Sequence, residues 1–182
     1  MKDFTEKITI TGGEYRGRKI LTPGGKTHPM GSRERLALFN MLGEKCSGAA
    51  FLDAFAGSGA LGIEALSRGA SRVIFVDSSR PATEVIKRNL RELGIEDGYK
   101  VICDKISGVK TGLGDTGDFD VILADPPYDD FNLTEVAGLA ELLKSSGTLV
   151  LSHPGEAPEF DGLELLKSHK YAGAHLSIYI RN

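Results

Sequence analysis

This sequence predicts an α/β fold built on a doubly wound, mostly parallel seven-stranded sheet, and three observations lead there. From Phe51 onward, short apolar runs alternate with longer stretches of helical periodicity, the pattern of successive βαβ units. The first run ends in a glycine-rich turn, Gly57-Ser58-Gly59, that passes at once into helical sequence, as happens where a parallel sheet binds a ligand at its carboxyl edge. The last two strand-like runs are joined only by Tyr171-Ala172-Gly173; that is too short for a crossover, so the pair must be antiparallel.

Taken in chain order, the segment before the sheet, residues 1–48, reads as a small extension. Ile8-Thr9-Ile10-Thr11 and Arg18-Lys19-Ile20-Leu21 flank glycines as a hairpin, and Ser32 is placed to cap a helix through Leu42 with an apolar face of Leu36, Phe39, Met41 and Leu42. Residues 49–182 form the main domain. Its strands are expected at 50–54, 72–77, 99–103, 119–125 and 147–152, followed by the antiparallel pair 163–170 and 174–181. Helices are expected at 60–69, 80–93 and 132–145, the last stopped by Gly147, with a weaker one near 105–112.

The composition, 41% hydrophobic and 26% charged over 182 residues, is that of a globular chain able to bury a core. The net charge of −3 is unevenly distributed: residues 1–48 hold nine Lys/Arg against five Asp/Glu, and the remainder is acidic. A polyanion would therefore be held by the N-terminal extension. Cys46 and Cys103 lack partners at ligand spacing, so neither a disulfide framework nor a metal site is indicated, and two buried thiols are expected. No run reaches the ~20 apolar residues of a membrane span, and Met1 to Glu6 is too charged for a signal peptide. A soluble, cytoplasmic monomer is expected.

The first strand leads into Asp53-Ala54-Phe55-Ala56-Gly57-Ser58-Gly59-Ala60-Leu61-Gly62. Gly57, Gly59 and Gly62 formally satisfy a dinucleotide fingerprint, and Asp77 its ribose-binding acid. Asp53 discriminates. A carboxylate in the crevice would repel a pyrophosphate but attract the ammonium and sulfonium of S-adenosyl-L-methionine. Asp53, Phe55, Ala56, Gly57 and Gly59 are thus candidates for cofactor binding, with Asp77 for the ribose hydroxyls and Asp104 for the adenine amine. Each acid also has a plain structural use as a loop or helix cap.

Val121-Ile122-Leu123-Ala124 is a buried-strand run closed by Asp125-Pro126-Pro127-Tyr128. The carboxylate and the Pro126 carbonyl can accept the two N–H groups of an exocyclic amine, Pro127 stiffens the turn, and the Tyr128 ring can stack on a planar base. Asp125 would stabilise positive charge developing on the nitrogen as it takes a methyl group, with neither metal nor covalent intermediate. A Pro-Pro loop with a packed tyrosine is the plain alternative.

Together these segments resemble the RsmD family of bacterial 16S ribosomal RNA guanine-N2 methyltransferases. The resemblance rests on Gly12-Gly13-Glu14-Tyr15-Arg16-Gly17-Arg18-Lys19-Ile20, Leu38-Phe39-Asn40-Met41-Leu42, Asp53 through Ala70 including Glu64-Ala65-Leu66-Ser67-Arg68-Gly69, and Asp125 to Tyr128. It implies a Rossmann-like class I S-adenosylmethionine-dependent methyltransferase fold. It also implies methylation of a guanine N2 in 16S rRNA, within a partly or fully assembled small subunit, and docking of RNA phosphates by Arg16, Arg18, Lys19, Arg33 and Arg35. The chain departs from the family at His28-Pro29-Met30, where Arg-Pro-Thr is usual, so no contact is carried over to His28 or Met30. The residues leave open methylation of adenine N6 or of a protein glutamine, and a non-catalytic rRNA-binding assembly factor.

Overall fold

The computed structural model describes residues 7–23, 30–109, 113, 118–171 and 174–182. His28 and Pro29, residues 110–112 of the weak helix, the Ala172-Gly173 connection and the first six residues lie outside the described set.

The main sheet has β3 (Ala50–Ala54), β4 (Arg72–Asp77), β5 (Tyr99–Cys103), β6 (Phe119–Ala124), β7 (Leu143–His153), β8 (Leu163–Tyr171) and β9 (Ala174–Arg181), in the order β5-β4-β3-β6-β7-β9-β8. The first five of that order run parallel, while β9 is antiparallel to both β7 and β8. The chain leaves β3 toward β4 on one side and returns to β6 on the other, which opens a crevice between the carboxyl ends of β3 and β6.

Side-chain alternation explains the layers. Phe51, Val121 and Leu123 face α1 (Ser32–Leu42), α2 (Ala60–Ser67) and α3 (Arg80–Leu93) through Phe39, Ile63, Ile86 and Leu90. Leu52, Ile122 and Ala124 face the opposite layer, where Val136 and Leu139 of α4 (Leu133–Ala140) and Ile106 pack. α3 keeps the bounds expected for it; its cap is Ser79, whose Oγ accepts from the Ala82 N–H, rather than Asp77, and Gly94 ends the helix at φ 77°.

The extension has its own hairpin, β1 (Lys7–Thr9) with β2 (Lys19–Leu21). It is fastened to α2 by a buried carboxylate. Glu64, fully buried, accepts from the Thr11 N–H at 2.8 Å, the Thr11 hydroxyl at 2.7 Å and Arg68 Nε at 3.0 Å. Ser67 Oγ donates to the Gly12 carbonyl and accepts from the Tyr15 N–H. Asn89 of α3 treats Leu21 as a strand would, accepting from its N–H at 2.8 Å and donating to its carbonyl at 2.9 Å. Two of the signature segments, around Gly12 to Lys19 and around Glu64 to Gly69, are thus the two halves of one joint.

Four expectations need correction. Gly31 caps α1, and Ser32 is already helical. Its buried face is Arg35, Leu38, Phe39 and Leu42, while Leu36 is 41% exposed; the hairpin occupies a strip of the helix that a guanidinium, rather than Leu36, fills. The helix expected at 132–145 ends at Ala140, and β7 begins at Leu143. Leu142 and Leu143 serve sheet and helix patterns equally, and Gly147 lies within an irregular stretch of β7, between the Leu143 and Thr148 pairings. Cys103 is exposed at the end of β5; only Cys46 is buried.

Candidate active site

The crevice at the switch point has a volume of about 930 Å³, and the Phe55–Ser58 loop and Asp125–Tyr128 both line it. Parallel pairing of Asp53 with Leu123 and Ala54 with Ala124 brings the two strand ends level, so the segments that follow open into the same space.

Backbone conformation shapes the loop after β3. Phe55 has φ 59° and Gly57 φ 54°, left-handed values that turn the chain sharply; in Phe55 this is uncommon for a side chain of that size. Asn89 donates to the Ser58 carbonyl at 3.0 Å, so the residue that holds β2 also holds this loop. Gly62 lets α2 lie against the sheet: a Cβ there would stand 2.3 Å from Phe75 Cε1 and 2.9 Å from Asp53 Oδ2.

Asp53 is 1% exposed and accepts the Gly62 N–H at 2.8 Å. Burial pushes its carboxyl well above the usual range, and the nearby Asp125 and Asp77 charges add to the rise. Asp77 accepts from the Gly57 N–H and the Ser79 N–H, both at 2.8 Å, which leaves each carboxylate oxygen with acceptor capacity toward the crevice. Asp104 is exposed at the crevice edge and accepts from the Lys105 N–H at 2.7 Å. Ala56, a largely buried member of the loop, donates its N–H to the Val76 carbonyl at 2.9 Å.

At the other wall, burial raises the Asp125 carboxyl, while hydrogen bonds from the Ser152 hydroxyl and the Met30 backbone N–H draw it back down. Pro126 is buried and Pro127 exposed. Tyr128, 37% exposed, is anchored by its hydroxyl, 2.5 Å from Ser152 Oγ.

Arg16, Arg18, Lys19 and Arg33 are exposed on the extension. Arg18 also donates to the Glu92 carbonyl at 3.0 Å. Arg35 must be taken out of the RNA-docking set. It is 1% exposed, and both its Nη groups donate within the chain, to the Met30 carbonyl at 2.8 Å and the Thr9 carbonyl at 2.6 Å. Met30, to which no role was assigned, lines the crevice beside Thr22 and Pro23. No motif of the sequence marks Ser152: only the parallel pairing of Leu151 with Ala124, a matter of register, sets it beside Asp125.

The donor set fits a ligand that is cationic at one end and carries hydroxyls and a planar ring at the other. Asp53 is a buried acid and Asp125 a half-buried one, and a cation would favour the ionisation of both; Asp77 offers acceptors to hydroxyls, and none of Asp53, Asp77, Asp104 or Asp125 is in a salt bridge among the described residues. A pyrophosphate would meet repulsion from the same carboxylates.

Comparisons with known proteins agree with this chemistry. The family model described as "Conserved hypothetical protein 95" matches residues 8–180. The chain is 33% identical over 181 residues to YlbH of Bacillus subtilis, covering 94% of this chain and 98% of that one. It is 36% identical over 134 residues to the ribosomal RNA small subunit methyltransferase D of Haemophilus influenzae, covering 72% and 68%. Among solved structures, yhhF of Escherichia coli superposes with a TM-score of 0.84 at 29% identity, over 97% of this chain and 99% of that one.

Proposed function

The chain belongs to the conserved hypothetical protein 95 family, and we propose that it methylates the exocyclic N2 of a guanine in 16S ribosomal RNA. It is a methyltransferase that takes S-adenosyl-L-methionine as methyl donor and ribosomal RNA as substrate. The finer reading, a guanine presented by the small subunit during or after assembly in the cytoplasm, follows from the family resemblance. The observation that carries it is the single crevice lined by both the Gly57 loop and Asp125–Tyr128.

In this reading Asp53 faces the cationic end of the donor, Asp77 the ribose and Asp104 the adenine edge, with Phe55, Ala56, Gly57 and Gly59 forming the surrounding loop. S-adenosylmethionine supplies an electrophilic methyl group. Asp125 accepts one N–H of the guanine amine and the Pro126 carbonyl the other, so the nitrogen is aimed across the crevice. As positive charge develops on that nitrogen, the Asp125 carboxylate stabilises it where little water competes. Pro127 keeps the turn rigid, and the Tyr128 ring supports a base taken out of its stack. Residues 1–48 serve as the RNA-docking extension, with Arg16, Arg18, Lys19 and Arg33 on phosphates.

Transfer of labelled methyl groups to naked 16S rRNA, assembled small subunits, DNA and protein, followed by nucleoside mapping, tests the proposal. The expected product is N2-methylguanosine in 16S rRNA. Label confined to adenine N6 or to protein would reject it. Asp125→Ala is expected to lower kcat by about 10²–10³, the cost of losing one positioned charge-stabilising group, with cofactor affinity nearly unchanged.

A further inference from the structure

Ser152 belongs to none of the motifs and yet sits between the two side chains on which amine transfer depends. Ala124 and Leu151 are paired across β6 and β7, and both are buried in the same layer. The residues that follow, Asp125 and Ser152, therefore turn together toward the opposite side at the strand ends. Ser152 Oγ lies 2.5 Å from the Tyr128 hydroxyl, and the pairing of Leu151 with Ala124 sets the same hydroxyl beside the Asp125 carboxylate, whose ionised form it favours against burial.

Chemistry fixes the direction of this chain. An ionised carboxylate only accepts, and a serine hydroxyl has one proton. Ser152 gives that proton to Asp125, so at its other contact it accepts, and Tyr128 donates. Asp125 receives a second donor from the Met30 N–H, and the rest of its roughly four acceptor positions stay available to an incoming amine.

We propose that Ser152 is a positioning residue for methyl transfer: its hydroxyl links Tyr128 to Asp125 in one directed hydrogen-bond chain that sets the stacking ring and the amine-holding carboxylate together. This rests on the function proposed above. The link also holds Asp125 in its ionised, acceptor-only state at lower pH than burial alone would allow. Asp53 on β3, Asp77 on β4, Asp104 and Lys105 beyond β5, Glu135 on α4, Arg35 on α1, Asp129 and Tyr128 itself share the crevice, and all of them remain when Ser152 is changed to alanine.

The test compares the wild-type protein with Ser152→Ala, Ser152→Thr and Tyr128→Phe in kcat and KM across pH, in cofactor affinity by calorimetry, and in the ¹³C-detected titration of the Asp125 carboxyl. Ser152→Ala is expected to lower kcat about ten-fold, less than loss of the direct contact. It should also move the acidic limb of the kcat profile and the Asp125 titration to higher pH, with cofactor affinity within two-fold. Ser152→Thr keeps the hydroxyl and should restore both positions. Tyr128→Phe leaves the Ser152 to Asp125 bond, so the acidic limb should stay in place while KM for RNA rises. If the alanine variant fails to fold, near-isosteric Ser152→Cys, a weak donor, should give the same upward displacement. An unmoved limb and titration in folded Ser152→Ala or Ser152→Cys, or a threonine variant no better than alanine, overturns the inference. If the wild-type protein transfers nothing to rRNA, the proposed function falls instead, and the Asp125 titration still reports whether Ser152 controls the carboxyl.

Discussion

Asp53 combines two roles that pull against each other. Its buried carboxyl accepts the Gly62 N–H, yet burial and the Asp77 and Asp125 charges raise its proton affinity. A raised folded-state pKa means that this group favours the fold at pH below the ordinary carboxylate range. That contribution is lost as pH climbs toward the raised value. Ionised Asp53 is therefore a cost to the ligand-free protein that a bound cation offsets. Asp53→Asn should raise the melting temperature of the ligand-free protein at pH 7, at roughly 2–4 °C per kcal/mol recovered, and weaken cofactor binding at least about ten-fold. Wild-type cofactor affinity should likewise fall as pH drops through the raised Asp53 value. Thermal scans with and without cofactor check both; an unchanged cofactor-induced shift in Asp53→Asn would remove Asp53 as the partner of the cationic end. This residue's position at a strand end was legible in the sequence, but its burial was not, because burial depends on how closely α2 lies on β3 and β4.

Among the elements, α2 and α3 do more than cover the sheet. Gly62 sets the distance from α2 to the sheet, and Gly62→Ala would place a methyl group 2.3 Å from Phe75 Cε1 and 2.9 Å from Asp53 Oδ2. A loss of about 1–3 kcal/mol in urea unfolding is expected from that overpacking, together with weaker cofactor binding as Asp53 shifts. Asn89 on α3 joins β2 to the cofactor loop through Leu21 and Ser58. Asn89→Ala leaves the buried Leu21 N–H without its acceptor, for about 1–3 kcal/mol, and limited proteolysis should then cut the extension faster than the sheet domain. The helical period showed α2 and α3 themselves, since apolar residues such as Val85, Ile86, Leu90 and Leu93 recur at helical spacing. It could not show that an asparagine within that period would act as a strand edge.

For the whole molecule, the basic extension and the acidic crevice divide the work of holding RNA from that of holding a cation. Arg16→Ala and Arg33→Ala should each weaken RNA binding and reduce the slope of log affinity against log salt by about one, with cofactor affinity unaffected. An unchanged slope in both variants would remove the extension from the docking surface. Arg35→Ala is expected to behave differently, by destabilising the fold, because its guanidinium bridges β1 and the start of α1. No helix among the described residues is long and apolar enough to cross a membrane.

By itself the sequence determined the alternation of strands and helices, the glycine turn after β3 and the Asp-Pro-Pro-Tyr turn after β6. These are written in local periodicity and in residues whose backbone chemistry admits few conformations. The tertiary structure alone decided which cations remain free for a partner, how deeply Asp53 is buried, and that Met30 and Ser152 reach Asp125. Such facts depend on register and packing between segments far apart in the chain. Arg33 and Arg35 look alike in the sequence, and only the placement of the hairpin against α1 leaves one in solvent and encloses the other.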